Sequence, residues 1–161
     1  MAVDEAEFEK LALDTLLERR QRRQQCFVWN QAGEELRACP PAALPVIERI
    51  IRETVESVIS EGTANTRVFH GLDHLLGAYL LITARSEPER AVQFLFDAST
   101  ALQVEVLGAM RVFFYFKADG YNCGIAPPAQ FRAFVRELAG SKNRLLRSAA
   151  QRTLLDVVWG S

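Results

Sequence analysis

The sequence predicts an all-helical fold, a stack of antiparallel helical hairpins of about seven helices behind an N-terminal capping helix. Three observations carry that expectation. Apolar side chains recur three and four residues apart along most of the chain, the spacing that gathers them on one face of an α-helix. Proline, glycine and cap-forming residues punctuate those stretches. The second half also repeats one arrangement. It runs from Ser86-Glu87-Pro88-Glu89 to Leu107-Gly108-Ala109, then from Pro127-Pro128 to Ser148-Ala149-Ala150. The displacement is roughly forty residues, as in paired-helix repeats.

Taken in order, Asp4 to Gln25 has Phe8, Leu11, Leu16 and Leu17 at near-helical spacing, with acids first and Arg19, Arg20, Arg22 and Arg23 last. That order complements the helix dipole. Cys26-Phe27-Val28-Trp29 supplies an apolar anchor, and Asn30 to Pro45, with Gly33, Pro40 and Pro41, reads as a connection holding at most a short helical turn. Pro45 suits a first helical turn, and Val46, Ile47, Ile50, Ile51, Val55, Val58 and Ile59 continue that helix until Gly62. Asn65 or Thr66 caps the next, which Val68, Leu72, Leu75, Leu76, Tyr79 and Leu80 carry to about Arg85. These two form the first hairpin.

Ser86 with Glu89 three residues on has the form of a capping box, and Val92, Leu95 and Phe96 give the following helix its apolar face. Ser99 or Thr100 opens a helix that is apolar at nearly every position from Leu102 to Phe116, so it is placed centrally. The β-rich run Val112 to Phe116 has no convincing partner as a strand. Ala118 to Ala126 is a loop; Pro127 or Pro128 opens a helix with Phe131, Phe134, Val135 and Leu138; and Gly140 stops it. Ser141 caps the last helix, with Leu145, Leu146, Ala149, Ala150, Leu154, Leu155 and Val158 as its apolar side and Trp159 sealing the terminal face.

The 161 residues, 49% hydrophobic and 24% charged, suit one domain that folds without staples. Residues 1–43 form its N-terminal helix and connection, and 44–161 its three hairpins. The net charge of -1 exerts no overall pull toward nucleic acid or an acidic membrane, but the charge is uneven. Six acids face Lys10 alone in residues 1–18, and six bases face Glu137 and Asp156 in residues 127–161. Such polarity can orient a partner or stack copies head to tail, although solvated helix faces are the blander account. Cys26, Cys39 and Cys123 make neither a disulfide framework nor a zinc knuckle, which points to a reducing cytoplasm. An acidic start and the lack of any long apolar run argue against a signal peptide and against a membrane span.

Leu76-Gly77-Ala78 and Leu107-Gly108-Ala109 fall at corresponding places in the second helices of the first two hairpins, and Ala149-Ala150 takes that place in the third. Small residues there would let neighbouring helices approach closely. Together these features resemble HEAT-like helical repeats over about residues 44–159, with Leu146-Arg147-Ser148-Ala149-Ala150-Gln151-Arg152-Thr153-Leu154 the best match to the family's second helix. The resemblance implies a right-handed stack whose second helices line a concave binding side.

His70-Gly71-Leu72-Asp73-His74 is the one cluster suited to metal chemistry, since two histidines four apart share a helix face and a carboxylate lies beside them. With no further histidine to complete a signature, a polar helix face is favoured over a metal site. There is no phosphate loop or nucleophile elbow, and Cys123 reads as a turn cysteine, so no enzyme and no cofactor are expected. The expected function is non-enzymatic protein binding. An acidic or mixed partner would lie along the second-helix side on Arg144, Arg147 and Gln151, with Arg111 extending the surface and Tyr121 and Asn122 at its rim. The alternative is nucleic-acid binding through Arg19 to Arg23 and the final helix; self-association through Trp29 and Trp159 at the ends of the stack is a further expectation.

Overall fold

The structure, a computed structural model, describes residues 5–18, 31–60, 69–114, 116–117, 120–121 and 124–159. It is all-helical. The helices are α1 (Glu5–Leu17), α2 (Gln31–Arg37), α3 (Leu44–Ile50), α4 (Ser57–Ser60), α5 (Leu72–Ser86), α6 (Pro88–Phe96), α7 (Thr100–Phe113), α8 (Ala129–Leu138) and α9 (Arg144–Asp156). Between α7 and α8 a two-residue antiparallel ladder pairs Phe116 with Tyr121 and Lys117 with Gly120. Of the β-rich run Val112 to Phe116, Val112 and Phe113 belong to α7 as the helical reading expects, and only Phe116 enters the ladder, paired by the glycine-containing loop directly after it. The chain divides into two compact units, Met1–Ser86 and Glu87–Ser161.

In the first unit α1 is a core helix and packs on α2, α3 and α5. Phe8, Ala12, Thr15 and Leu16, spaced four, three and one apart, make its buried stripe, while Leu17 is 53% exposed. Leu16 also accepts a hydrogen bond from the Gly71 N–H at 2.9 Å, which ties the end of α1 to the turn before α5. The connection expected over 30–45 instead contains the two turns of α2, which bury Ala32, Gly33 and Leu36. Arg85 Nη2 satisfies a carbonyl at the end of α2 by donating to Arg37 O at 2.7 Å. The apolar anchor expected at Cys26 to Trp29, and the caps at Asn65 and Thr66, lie outside the described residues.

The isoleucine-rich helix is present, but its hydrogen bonding widens to a π-helix over Ile51–Glu56 between α3 and α4. Ile51, Thr54 and Val55 in that stretch are β-branched, and their χ1 crowding weakens α-helical preference. α5 is buried at Leu72 and at every position from His74 to Thr83. It, rather than the 102–116 helix, is the element enclosed on all sides. Two of its polar members are satisfied locally or across the core: Thr83 Oγ1 donates to Tyr79 O at 2.8 Å, and Tyr79 Oη donates to Glu48 Oε2 at 2.7 Å.

In the second unit α7 packs on α9, and α8 packs on α6 and α9. Ser99 caps α7 as its sequence position suggests, Oγ accepting from the Leu102 N–H at 3.2 Å. Two other caps differ from expectation. Ser86 still belongs to α5, so its Oγ turns back to donate to Ile82 O at 2.6 Å, and Glu87 takes the N-cap position of α6 without a side-chain bond. At α9 the cap is Asn143, two residues past Ser141.

Candidate protein-docking face

α9 begins where Asn143 Oδ1 accepts the Leu146 N–H at 3.1 Å. That phase turns Leu146, Ala150, Thr153 and Val157 inward, at intervals of four, three and four, and all four are buried. The sequence read Leu145 and Leu155 as members of the same apolar side. They are instead 77% and 85% exposed. Ten residues apart along α9 they stand about 15 Å from one another, on an outer stripe that also carries exposed Arg144, Ser148, Gln151 and Arg152. Val158, 48% exposed, extends the apolar part just beyond the helix. Arg152 Nε lies 3.4 Å from Asp156 Oδ2, an exposed i,i+4 pair worth only tenths of a kcal/mol.

The residues expected to form a partner surface separate into different settings. Arg144 and Gln151 are on the exposed outer stripe. Arg147 is half-buried and donates from Nη1 to Ser141 O at 3.1 Å, closing the turn ahead of α9. Arg111 is spent on packing: Nη1 donates to Ala149 O at 3.2 Å and to Thr153 Oγ1 at 2.8 Å. Burial pulls its pKa down, the nearby positive charge of Arg152 adds to that, and Asp156 opposes it. A guanidinium still carries its charge at neutral pH under such a shift. Tyr121 contributes backbone to the ladder, and Asn122 lies outside the described residues.

The face also shows what the sequence reading missed. Leu145, Arg152 and Leu155 are its exposed centre. The available signal was an apolar set on 144–158 too broad for one helix face: Leu145 flanks, and Leu155 sits opposite, a stripe running through Thr153, a polar residue that reads poorly as core.

The histidine cluster is split by its surroundings. His70 is exposed in the turn ahead of α5, whereas His74 is 1% exposed inside it. Asp73 Oδ1 accepts the His74 backbone N–H at 3.1 Å and lies 3.9 Å from His74 Nε2. Among the described residues, no group of three or more His, Cys, Asp or Glu is arranged to hold a metal ion. Cys39 is half-buried; its thiol donates to Glu35 O at 3.4 Å, and burial together with the carboxylates of Glu35 and Glu7 pushes its pKa up. Those surroundings keep it protonated and poorly nucleophilic. Cys26 and Cys123 are outside the described residues.

Comparison with protein-family models, curated proteins and solved structures finds no match to this chain. No described helix is long and apolar enough to cross a membrane.

Proposed function

We propose that this protein is a non-enzymatic protein-binding module, HEAT-like in the pairing of its helices, that works in the reducing cytoplasm and receives an acidic or mixed partner surface on the outer stripe of α9. One observation carries the reading: two leucines, 77% and 85% exposed, share a stripe with Arg144 and Arg152. Isolated exposed leucines are ordinary on protein surfaces. Two on one stripe, about three turns apart and bordered by arginines, have the form of an apolar anchor pair with a charged rim.

Nucleic-acid binding through Arg19 to Arg23, which lie outside the described residues, and the final helix is the second reading, favoured by the exposed Arg144 and Arg152 of that helix. The leucines fit it less well, because a phosphate backbone offers nothing for them to bury against. Purification of the native protein with its bound companions separates these readings. A protein retained stoichiometrically, and lost at least ~10-fold when Leu145→Asp and Leu155→Asp are combined, supports the α9 face. Retention unaffected by that pair overturns it, and retained nucleic acid released steeply by salt moves the second reading to first place.

A further inference from the structure

A second feature of the molecule is opposite to the α9 stripe in charge and matches it in length. In the first unit α1 and α2 border an open groove of about 640 Å3. Glu7, Asp14, Glu18 and Glu35 line it against the single base Lys10, with Leu11 and Leu17 as its apolar part. Glu18 is partly engaged, accepting the Ala32 N–H at 3.4 Å. Among the described residues, Glu7, Asp14 and Glu35 have no ion-pair partner. The negative potential is felt nearby, since Glu35 and Glu7 both raise the Cys39 pKa.

The two surfaces are opposite in charge and alike in length, Arg152 being in part engaged by Asp156. Along α1 the groove extends from Glu7 to Leu17, ten residues, the same separation as Leu145 to Leu155 on α9 and therefore about 15 Å on each side. The groove offers carboxylates and the exposed Leu17; the stripe offers leucines with Arg144 and Arg152. A helix laid into a groove by spaced apolar anchors, with opposite charges at the rim, is a recurring mode of recognition.

We propose that the occupant of the groove is a second copy of this chain, the α9 stripe of one molecule docking between α1 and α2 of the next. This rests on reading the outer face of α9 as a protein-binding surface. The contact is heterologous, joining two different patches, so each molecule keeps one patch of each kind available for a further copy unless the assembly closes into a ring. Opposed charges make the contact weaken as salt rises, while the leucines hold a salt-insensitive remainder.

Sedimentation velocity over a concentration series tests this with the full chain, a stripe variant (Leu145→Asp with Leu155→Asp) and a groove variant (Asp14→Lys with Glu35→Lys). All substituted positions are exposed, and retained helicity and thermal unfolding verify that each variant folds. The unaltered chain is expected to grow in mean size with concentration, and each variant alone to associate at least ~10-fold more weakly. The decisive sample is the equimolar mixture: each variant retains the patch the other has lost, so the mixture forms a one-to-one dimer and nothing larger. If the groove variant associates like the unaltered chain while the stripe variant does not, α9 pairs with itself and the groove assignment is overturned. A chain that stays monomeric up to about 1 mM overturns self-docking altogether. That result leaves the α9 reading to stand or fall on whether the stripe variant loses a separately purified partner.

Discussion

Arg111 on α7 reaches Thr153 on α9, Nη1 donating to the threonine Oγ1 at 2.8 Å. The same nitrogen bonds Ala149 O at 3.2 Å, and Thr153 Oγ1 is itself 2.8 Å from Ala149 O and 3.4 Å from Leu107 O. Thr153 is fully buried. One hydroxyl thus joins a charged donor on one helix to the backbone of both, in surroundings where losing a partner is costly. Thr153→Val keeps the shape and removes the hydroxyl, and Arg111→Met keeps part of the stem and removes the donor. Each is expected to cost about 1–3 kcal/mol in urea unfolding. A double-mutant cycle should return a coupling of at least ~0.5 kcal/mol; a coupling of zero would mean that the two groups act independently.

The caps make a contrast that unfolding measurements can read directly. Ser99→Ala and Asn143→Ala each remove a side-chain acceptor from a helix N-terminus and are expected to cost about 1 kcal/mol. Ser86→Ala removes only a hydroxyl that bonds back within α5, and its cost should fall within about 0.5 kcal/mol of zero. An equal loss at Ser86 and Ser99 would restore the capping box that the sequence spacing suggests.

How far the sequence was legible depends on which force set each feature. The helical class, the buried series from Val46 to Ile59 and the Ser99 cap all follow from spacing and local hydrogen bonding, which neighbouring residues nearly determine. The two turns of α2 were hidden because Gly33 and the prolines after it signal a loop, whereas Ala32 and Leu36 are held helical by tertiary packing on α1 and α5. Arg111 and Leu155 show the same limit at the candidate site. An arginine and a leucine on amphipathic helices read as surface and core, yet the neighbouring helix decides. Here Thr153 draws Arg111 inward, and the phase set by Leu146, Ala150 and Val157 turns Leu155 out.

Gly108 is a place where the sequence pattern suggested close helix approach and the packing leaves room. A methyl group added there meets nothing nearer than Arg111 Nη2, at 3.8 Å, an ordinary van der Waals separation. Glycine in a helix interior carries a backbone entropy cost relative to alanine. Gly108→Ala is therefore expected to stabilise by about 0.5–1 kcal/mol, raising Tm by about 1–4 °C. A loss of stability would show that the position needs its missing side chain after all.

Glu105 makes the pH dependence of this fold testable at one side chain. It lies half-buried on α7 without a hydrogen bond or ion pair among the described residues, and burial alone pushes its carboxyl above the ordinary glutamate range. A carboxyl whose pKa is higher folded than unfolded binds its proton more tightly in the native state, so protonation favours folding. Its favourable contribution is complete below the unfolded pKa and is lost as pH rises through the folded value. At neutral pH the ionised group opposes folding, because it has given up water for a partly apolar setting. Glu105→Gln replaces it with a neutral group of the same shape. Thermal unfolding across a pH series should find the variant more stable than the parent at pH 7, with the gap closing as pH falls below the ordinary glutamate range. A gap that stays constant with pH would assign the effect to packing, and a variant less stable at pH 7 would show that the ionised carboxylate has a favourable partner.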